Sequence, residues 1–327
     1  MATFTPLSDT EASALVADYG LGVLTRVTPI SAGSVNSNFF LEVASRDRST
    51  TRRCFLRIYE EQALEGARYD GELLSHLSAR GVPAPPPLIR VDGDSLSIVA
   101  GKPAAVFPFV AGVHSCQRAV DADRCRSLGR ALAQVHVAGA SFPQRRAGRF
   151  TIEGVRARLP KIAAAEDPSL STMAEVLARR LDHWCARRVA DVPEGVVHGD
   201  LFRDNVLFCC EEGSGHDQVA ALLDFESASD GRYVYDLAVT ILAWCFGDRL
   251  DLALASAIVE GYQSVRALTA VERGAMRAEL AIAALRFTTT RITDYAMPRA
   301  GVGERVIKDF RRFWNRLLEV ETIALPW

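Results

Sequence analysis

Asp200, Asn205 and Asp224 are the residues whose types and spacing suggest chemistry. The first two stand in Val197-His198-Gly199-Asp200-Leu201-Phe202-Arg203-Asp204-Asn205-Val206-Leu207-Phe208, and the third in Leu222-Leu223-Asp224-Phe225. An aspartate, an asparagine five residues on and an aspartate nineteen further along can divide the work of phosphoryl transfer. Asp200 would accept the proton of an attacking hydroxyl and aim its oxygen at the γ-phosphorus of ATP. A weakly basic carboxylate suffices, because the transition state is loose and much of the work is positioning. Asn205 offers a carbonyl oxygen and Asp224 a carboxylate, both hard ligands suited to Mg²⁺. His198 is expected to hold the loop by hydrogen bonds, with Leu201, Phe202, Val206 and Leu207 anchoring it in the core. Taken singly, these residues read as a turn, a cap and a strand-end carboxylate. Their order and spacing, H-x-D-x-x-x-x-N followed by Asp-Phe, favour the catalytic reading.

Upstream, residues 31–38 are rich in Ser, Asn and Gly and read as a turn between strands. Such a turn can present backbone N–H groups and hydroxyls to phosphates, which makes Ser31, Gly33, Ser34 and Asn36 nucleotide-binding candidates. The run has one glycine where a G-x-G-x-x-G loop has three, so an ordinary hairpin loop is the competing reading. Arg57, in the strand Phe55-Leu56-Arg57-Ile58-Tyr59, stands where a kinase carries its phosphate-pairing lysine. Arginine contacts phosphate as a planar fork and not as a point charge. Glu72, on the helix that follows, is placed to orient it; a solvated strand arginine with an unrelated surface glutamate is the plain alternative.

These residues need a scaffold, and the patterning supplies one. Residues 8–18 read as a helix with Ser8 as N-cap. Strands are expected at 39–43, 54–59, 96–100 and 104–109, with one helix at 72–79 ending at Gly81 before a proline cluster. Beyond residue 110 the pattern is helical: 121–137, 152–165, 172–188, 235–246, 252–262, 270–295 and 304–320. Two short strands, 196–197 and 219–223, frame the catalytic segment. His136 and Trp244 are expected to be packing residues. The sum is an α+β, two-lobed protein-kinase-like fold, with a β-rich N-terminal nucleotide-binding lobe (1–108) and a mostly helical catalytic and substrate-binding lobe (109–327).

The totals are compatible with this. The chain has 327 residues, 49% hydrophobic and 24% charged, and a net charge of −2 without a polybasic run. Nucleic acid and anionic membranes are therefore not expected partners. The longest nearly unbroken apolar stretch, 237–246, is too short to span a bilayer, and no secretory leader is recognisable, so the cytoplasm is expected. Seven cysteines, an odd number without C-x-x-C pairs or zinc spacing, read as free thiols in a reducing compartment.

Together the chain resembles the aminoglycoside phosphotransferase/choline kinase superfamily, and within it type II homoserine kinases. The blocks that carry this are Phe55-Leu56-Arg57-Ile58-Tyr59-Glu60, Gly101-Lys102-Pro103-Ala104-Ala105, Gly129-Arg130-Ala131-Leu132-Ala133-Gln134-Val135-His136, the catalytic segment, Tyr235-Asp236-Leu237-Ala238 and Ala284-Leu285-Arg286-Phe287. The resemblance implies transfer of phosphate from ATP, with Mg²⁺, to the hydroxyl of L-homoserine, a step toward threonine. It implies Asp200 as base, Asn205 and Asp224 as metal ligands, and Asp236 as a brace of the catalytic loop. Phe107-Pro108-Phe109-Val110 would be the hinge that meets adenine. A zwitterionic acceptor needs a cation for its carboxylate, for which Arg286 and Arg291 are candidates, and Glu226 or Asp230 could meet its ammonium. Pairing of these arginines with Asp294 or other structural acids is the alternative. Two positions depart from the homoserine kinase pattern: Gly199, where alanine is usual, and Glu226, where an aromatic is usual. Both substitutions suit a kinase acting on another amino alcohol or hydroxylated amine. Arg57 in place of lysine suits a third reading, a nucleotide-binding regulator with little transferase activity.

Overall fold

A computed structural model describes residues 5–30, 35–209, 217–297 and 308–327. The chain divides into two compact units, Met1–Ala111 and Gly112–Trp327.

The first unit begins with helix α1 (Asp9–Asp18), closed by a capping box in which Ser8 and Glu11 satisfy each other's backbone N–H groups. Strands β1 (Val23–Ile30), β2 (Ser37–Ala44), β3 (Thr51–Ile58), β4 (Ser97–Val99) and β5 (Lys102–Pro108) form one antiparallel sheet in the order β1-β2-β3-β5-β4. Alternation sends Leu41, Leu56, Ile58 and Val106 to the core face with Ala12, Leu15 and Val16 of α1. Phe55 and Arg57 therefore lie on the opposite face, opposite Phe107 and Ala105 in the register. Helix α2 spans Leu64–Ser78 and starts eight residues earlier than the pattern suggests. Its N-cap, Ala63, makes no side-chain bond, so no capping residue announces the start.

The second unit contains α3 (Ala122–Gly139), α4 (Ile152–Arg156), α5 (Leu159–Ala163) and α6 (Pro168–Cys185) before the catalytic segment. The single helix expected at 152–165 is two, because Pro160 sits in the first turn of α5, where its missing N–H costs nothing. Strand β6 (Glu194–Val197) pairs with β9 (Ser229–Arg232), and β7 (Val206–Phe208) with β8 (Val219–Leu222). Then come α7 (Tyr233–Trp244), α8 (Leu252–Gln263), α9 (Ala270–Arg291) with a π-helical turn Ile292–Ala296, and α10 (Arg311–Val320). Residues 304–307 of the last expected helix lie outside the described residues.

Helices α3 and α8 pack backbone to backbone. A Cβ at Gly129 would lie 2.0 Å from the Ile258 carbonyl oxygen, and one at Gly261 2.0 Å from that of Arg126. Glycine is required at both, and the close approach brings the backbone of α3 against that of α8. Among the described residues no helix is long and apolar enough to cross a membrane. Cys54, Cys116, Cys125, Cys185, Cys209 and Cys245 are free thiols.

Candidate active site

The segment after β6 is held by one buried carboxylate. Asp236, in the first turn of α7, is fully buried; its Oδ2 accepts from the His198 amide at 2.7 Å and its Oδ1 from the Gly199 amide at 2.8 Å. His198 is buried too: its Nδ1 accepts from the Asp200 amide at 3.3 Å and its Nε2 donates to the Leu223 carbonyl at 2.9 Å. One imidazole thus ties the loop bearing Asp200 to the strand end bearing Asp224. Gly199 has φ +75°, and a Cβ there would lie 3.0 Å from the Ser227 carbonyl oxygen, so glycine fits this turn better than alanine. Fully buried Leu201 and Val206 anchor the segment, and the Trp244 indole N–H donates to the Leu201 carbonyl at 3.0 Å. Trp244 does pack in the core, as the sequence suggests, and it also fixes the loop.

The three polar residues are brought together by the backbone. Asn205 Nδ2 donates to the Asp200 carbonyl at 2.8 Å, and the Leu223 amide to the Asn205 carbonyl at 2.8 Å. The amide nitrogen of Asn205 is committed to the loop, which leaves its oxygen as the atom able to serve a cation. Asp224 adopts φ 63°, ψ 64°, a left-handed conformation that costs energy for a non-glycine residue. Among the described residues no group of three or more His, Cys, Asp or Glu could hold a metal alone. One carboxylate and one amide oxygen fit an ion that arrives on phosphates and takes the rest of its shell from them and from water.

The Asp200 carboxylate keeps about a third of its side-chain surface open (34%), yet it sits deep in the unit. Withdrawal from water pushes its pKa above the usual value, Arg286 pulls it back, and Asp224 adds to the rise. Arg286 NH1 lies 3.6 Å from Asp200 Oδ1 and donates to the Gly199 carbonyl at 3.2 Å. The Arg286 side chain is 4% exposed, with its guanidinium carbon 3.9 Å from the Phe150 ring centre and 3.8 Å from that of Phe287. Its Nε has no hydrogen-bond partner among the described residues.

Arg286 also lines a cavity of about 310 Å³ within the second unit, whose walls include Gly199, Arg188, Arg232, Glu194 and Asp230. Arg188 and Arg232 share the buried carboxylate of Glu279, at 2.9 and 3.0 Å. Asp230 accepts from Arg145 at 2.7 Å and from the Arg146 amide at 3.1 Å. The walls thus carry both signs of charge. Glu226 and Arg291 are not among the lining residues. The Arg291 guanidinium donates to the Asp309 carbonyl at 3.1 Å, and burial lowers its pKa to about 10. Asp294 pairs with Arg158 at 2.6 Å.

In the first unit, Ser31, Gly33 and Ser34 lie outside the described residues. Asn36 Oδ1 accepts from the Glu60 amide at 3.2 Å, and Arg57 Nε donates to Asn38 Oδ1 at 3.3 Å. Glu72 lies on the exposed side of α2. Phe107 lies near the end of β5, and Phe109, 41% exposed, packs edge-on to Phe40 at 5.8 Å on the sheet face that carries Arg57.

Sequence reasoning missed four residues here. Arg146 gathers the turn after Asp224: its Nε donates to the Ala228 carbonyl at 2.7 Å and its NH2 to that of Phe225 at 3.2 Å. Phe150 covers Arg286. Lys102 pairs with Glu60, which in turn accepts from Ser37 Oγ at 2.5 Å and so pins the start of β2. Only Lys102 and Glu60 had a signal, since both lie in the blocks that carry the resemblance.

Comparison with known proteins bears on the whole chain. The sequence pattern of the phosphotransferase enzyme family matches residues 26–270. A homoserine kinase of Cupriavidus pinatubonensis is 34% identical, covering all of both chains. One of Sinorhizobium fredii is 36% identical over 92% of this chain and 89% of its own. Among solved structures, amicoumacin kinase in complex with AMP-PNP, Ca²⁺ and Ami aligns with TM-score 0.68 at 15% identity, covering 92% of this chain and 90% of that one. Spectinomycin phosphotransferase in complex with ADP and spectinomycin aligns with TM-score 0.68 at 13% identity, over 97% and 98%. Such distant structural likeness speaks for the fold, which is the α+β, protein-kinase-like class expected from the sequence. The sequence matches reach further, and on them the chain belongs to the phosphotransferase enzyme family.

Proposed function

We propose that this chain is a cytoplasmic ATP-dependent kinase that phosphorylates the side-chain hydroxyl of L-homoserine, giving ADP and O-phospho-L-homoserine on the route to threonine. The observation that carries the reading is sequence identity of 34–36% to homoserine kinases over 92–100% of the chain. In this reading Asp200 takes the hydroxyl proton as the oxygen attacks the γ-phosphorus, and the bond to the β–γ bridging oxygen breaks, releasing ADP. Asn205 and Asp224 would hold Mg²⁺, which offsets the negative charge of the phosphates. Asn36, Arg57 and Glu72 serve the phosphate end of the nucleotide, together with Ser31, Gly33 and Ser34, and Phe107 and Phe109 serve the adenine. Arg286 receives the acceptor's carboxylate, and Asp230 its ammonium. A small cavity with both charges suits a zwitterion and suits a polycation poorly.

ADP release coupled to Mg-ATP and L-homoserine, beside serine, threonine, choline and ethanolamine, tests the reading. Turnover with homoserine well above the others is expected. Turnover with a different acceptor would keep the kinase and discard homoserine. A second test concerns the metal. Asp224→Ala should weaken Mg-ATP binding by roughly tenfold or more while leaving Mg²⁺-free nucleotide affinity unchanged, since one charged metal ligand is lost. Mg-ATP affinity equal to that of the wild type in this variant would remove Asp224 from the ligand set.

A further inference from the structure

Asp236 does not act alone. Its Oδ2, which holds the His198 amide, is also 3.0 Å from His136 Nε2. His136 lies on α3, fully buried, stacked on the Tyr233 ring at 4.5 Å. Its Nδ1 is 2.7 Å from the Tyr262 hydroxyl on α8, where the glycines at 129 and 261 let the two helices close up. The Tyr262 hydroxyl in turn accepts from Arg266 NH1 at 3.1 Å. Arg266 is fixed by Glu272 at 2.8 Å, and fully buried Glu272 is held by the capping box that starts α9, accepting from the Thr269 amide at 2.9 Å.

The donor directions in this chain are determined. Asp236 accepts only, so His136 must carry its proton on Nε2 and accept at Nδ1. Burial keeps the imidazole neutral and the Tyr262 phenol protonated. Tyr262 therefore donates to His136, and its oxygen takes the Arg266 N–H. Every bond from Arg266 to Asp236 points the same way, toward the carboxylate that grips the loop, and such aligned bonds polarise one another. His136 was expected as a packing residue; it is buried, and it is also a link.

We propose that Tyr262 and Arg266 are positioning residues for phosphoryl transfer, acting through His136 to hold the imidazole where it keeps Asp236 clamped on the His198 and Gly199 amides. This rests on the reading of Asp200 as the base carried by that loop. Without the Tyr262 hydroxyl, His136 Nδ1 is a buried acceptor without a donor, and the ring, still protonated on Nε2 for Asp236, is free to tilt away from it. The loop would then sample positions in which Asp200 misses the acceptor hydroxyl, and misplacement of this kind is read in kcat before KM.

The test uses the full chain. Tyr262→Phe is expected to lower kcat about tenfold or more, with KM for ATP and homoserine within about twofold, well below its melting temperature. The Gly199 amide and the His136 Nε2 proton should each exchange with deuterium about tenfold faster. Arg266→Lys, which keeps an N–H donor, should restore more of kcat than Arg266→Met. Should Tyr262→Phe not fold, the Arg266 pair decides. Wild-type kcat and wild-type exchange in a folded Tyr262→Phe would overturn the proposal. Absence of homoserine turnover in the wild type would sink the substrate reading alone, because the exchange of the Gly199 amide and the His136 Nε2 proton is read without activity.

Discussion

Asp200→Asn lowers kcat by roughly 10²–10⁴-fold, the range that loss of a positioned general base produces. The substitution is close to isosteric. The loop should keep its shape, because the bonds that hold residue 200 use its backbone: its amide donates to His198 Nδ1, and its carbonyl accepts from Asn205 Nδ2. The loss should therefore be in the chemical step. Calorimetric titration should give Mg-ATP affinity within about twofold of wild type, since positioning and phosphate binding lie with other groups. The environment of the carboxylate sharpens the expectation. Burial raises its pKa and so makes it a better base than a surface aspartate, while Arg286 at 3.6 Å offsets part of that rise. An asparagine supplies neither the negative charge nor a proton acceptor of that strength. Near-normal turnover in single-turnover experiments would show that Asp200 does not take the proton.

That Asp200, Asn205 and Asp224 lie on segments tied to one another was legible in the sequence, in their spacing between short apolar strands. His198 as a holder of the loop was likewise legible, since its place beside Asp200 admits few other uses. What escaped was long-range. Strand β9, Ser-Asp-Gly-Arg, has neither alternation nor β-branched residues; it is a strand only because β6 lies beside it. Arg146 reaches some 80 positions along the chain to the carbonyls after Asp224, and no local pattern records such a contact. The start of α2 lacked a capping side chain, and Pro160 split a helix whose apolar spacing looked continuous. His136 shows the limit most plainly. On a helix face its spacing says buried, and burial is right, but its two partners lie 100 and 126 residues away.

Arg286→Met should divide acceptors by whether they carry a carboxylate. The guanidinium packs against the Phe150 and Phe287 rings, so the faces of the fork meet aromatic carbon and its in-plane donors are what remain for an anion. NH1 is committed to the Gly199 carbonyl and the Asp200 side, while Nε is buried without a partner. A buried donor left unsatisfied costs about 1–3 kcal/mol, so a fold that keeps one at the wall of a cavity has a use for it. A carboxylate bound there gains a charge-assisted bond, and losing it costs about 2–5 kcal/mol. For L-homoserine kcat/KM should fall by roughly 10²–10³-fold, within that range. For 3-amino-1-propanol, which keeps the hydroxyl and ammonium but lacks the carboxylate, the variant should lose only the part that Arg286 contributes through Asp200. That part is common to both acceptors and cancels in the ratio of their kcat/KM values. Hence the preference for homoserine over the amino alcohol should collapse toward unity in Arg286→Met. It should recover little in Arg286→Lys, whose compact ammonium can neither lie flat between the rings nor offer two in-plane donors. A ratio unchanged from wild type would move carboxylate recognition away from Arg286, to Arg188 or Arg232 on the same cavity wall. Because Glu279 already neutralises part of the charge of those two residues, the carboxylate would then be bound by a weaker net field, and affinity for homoserine should depend less steeply on salt.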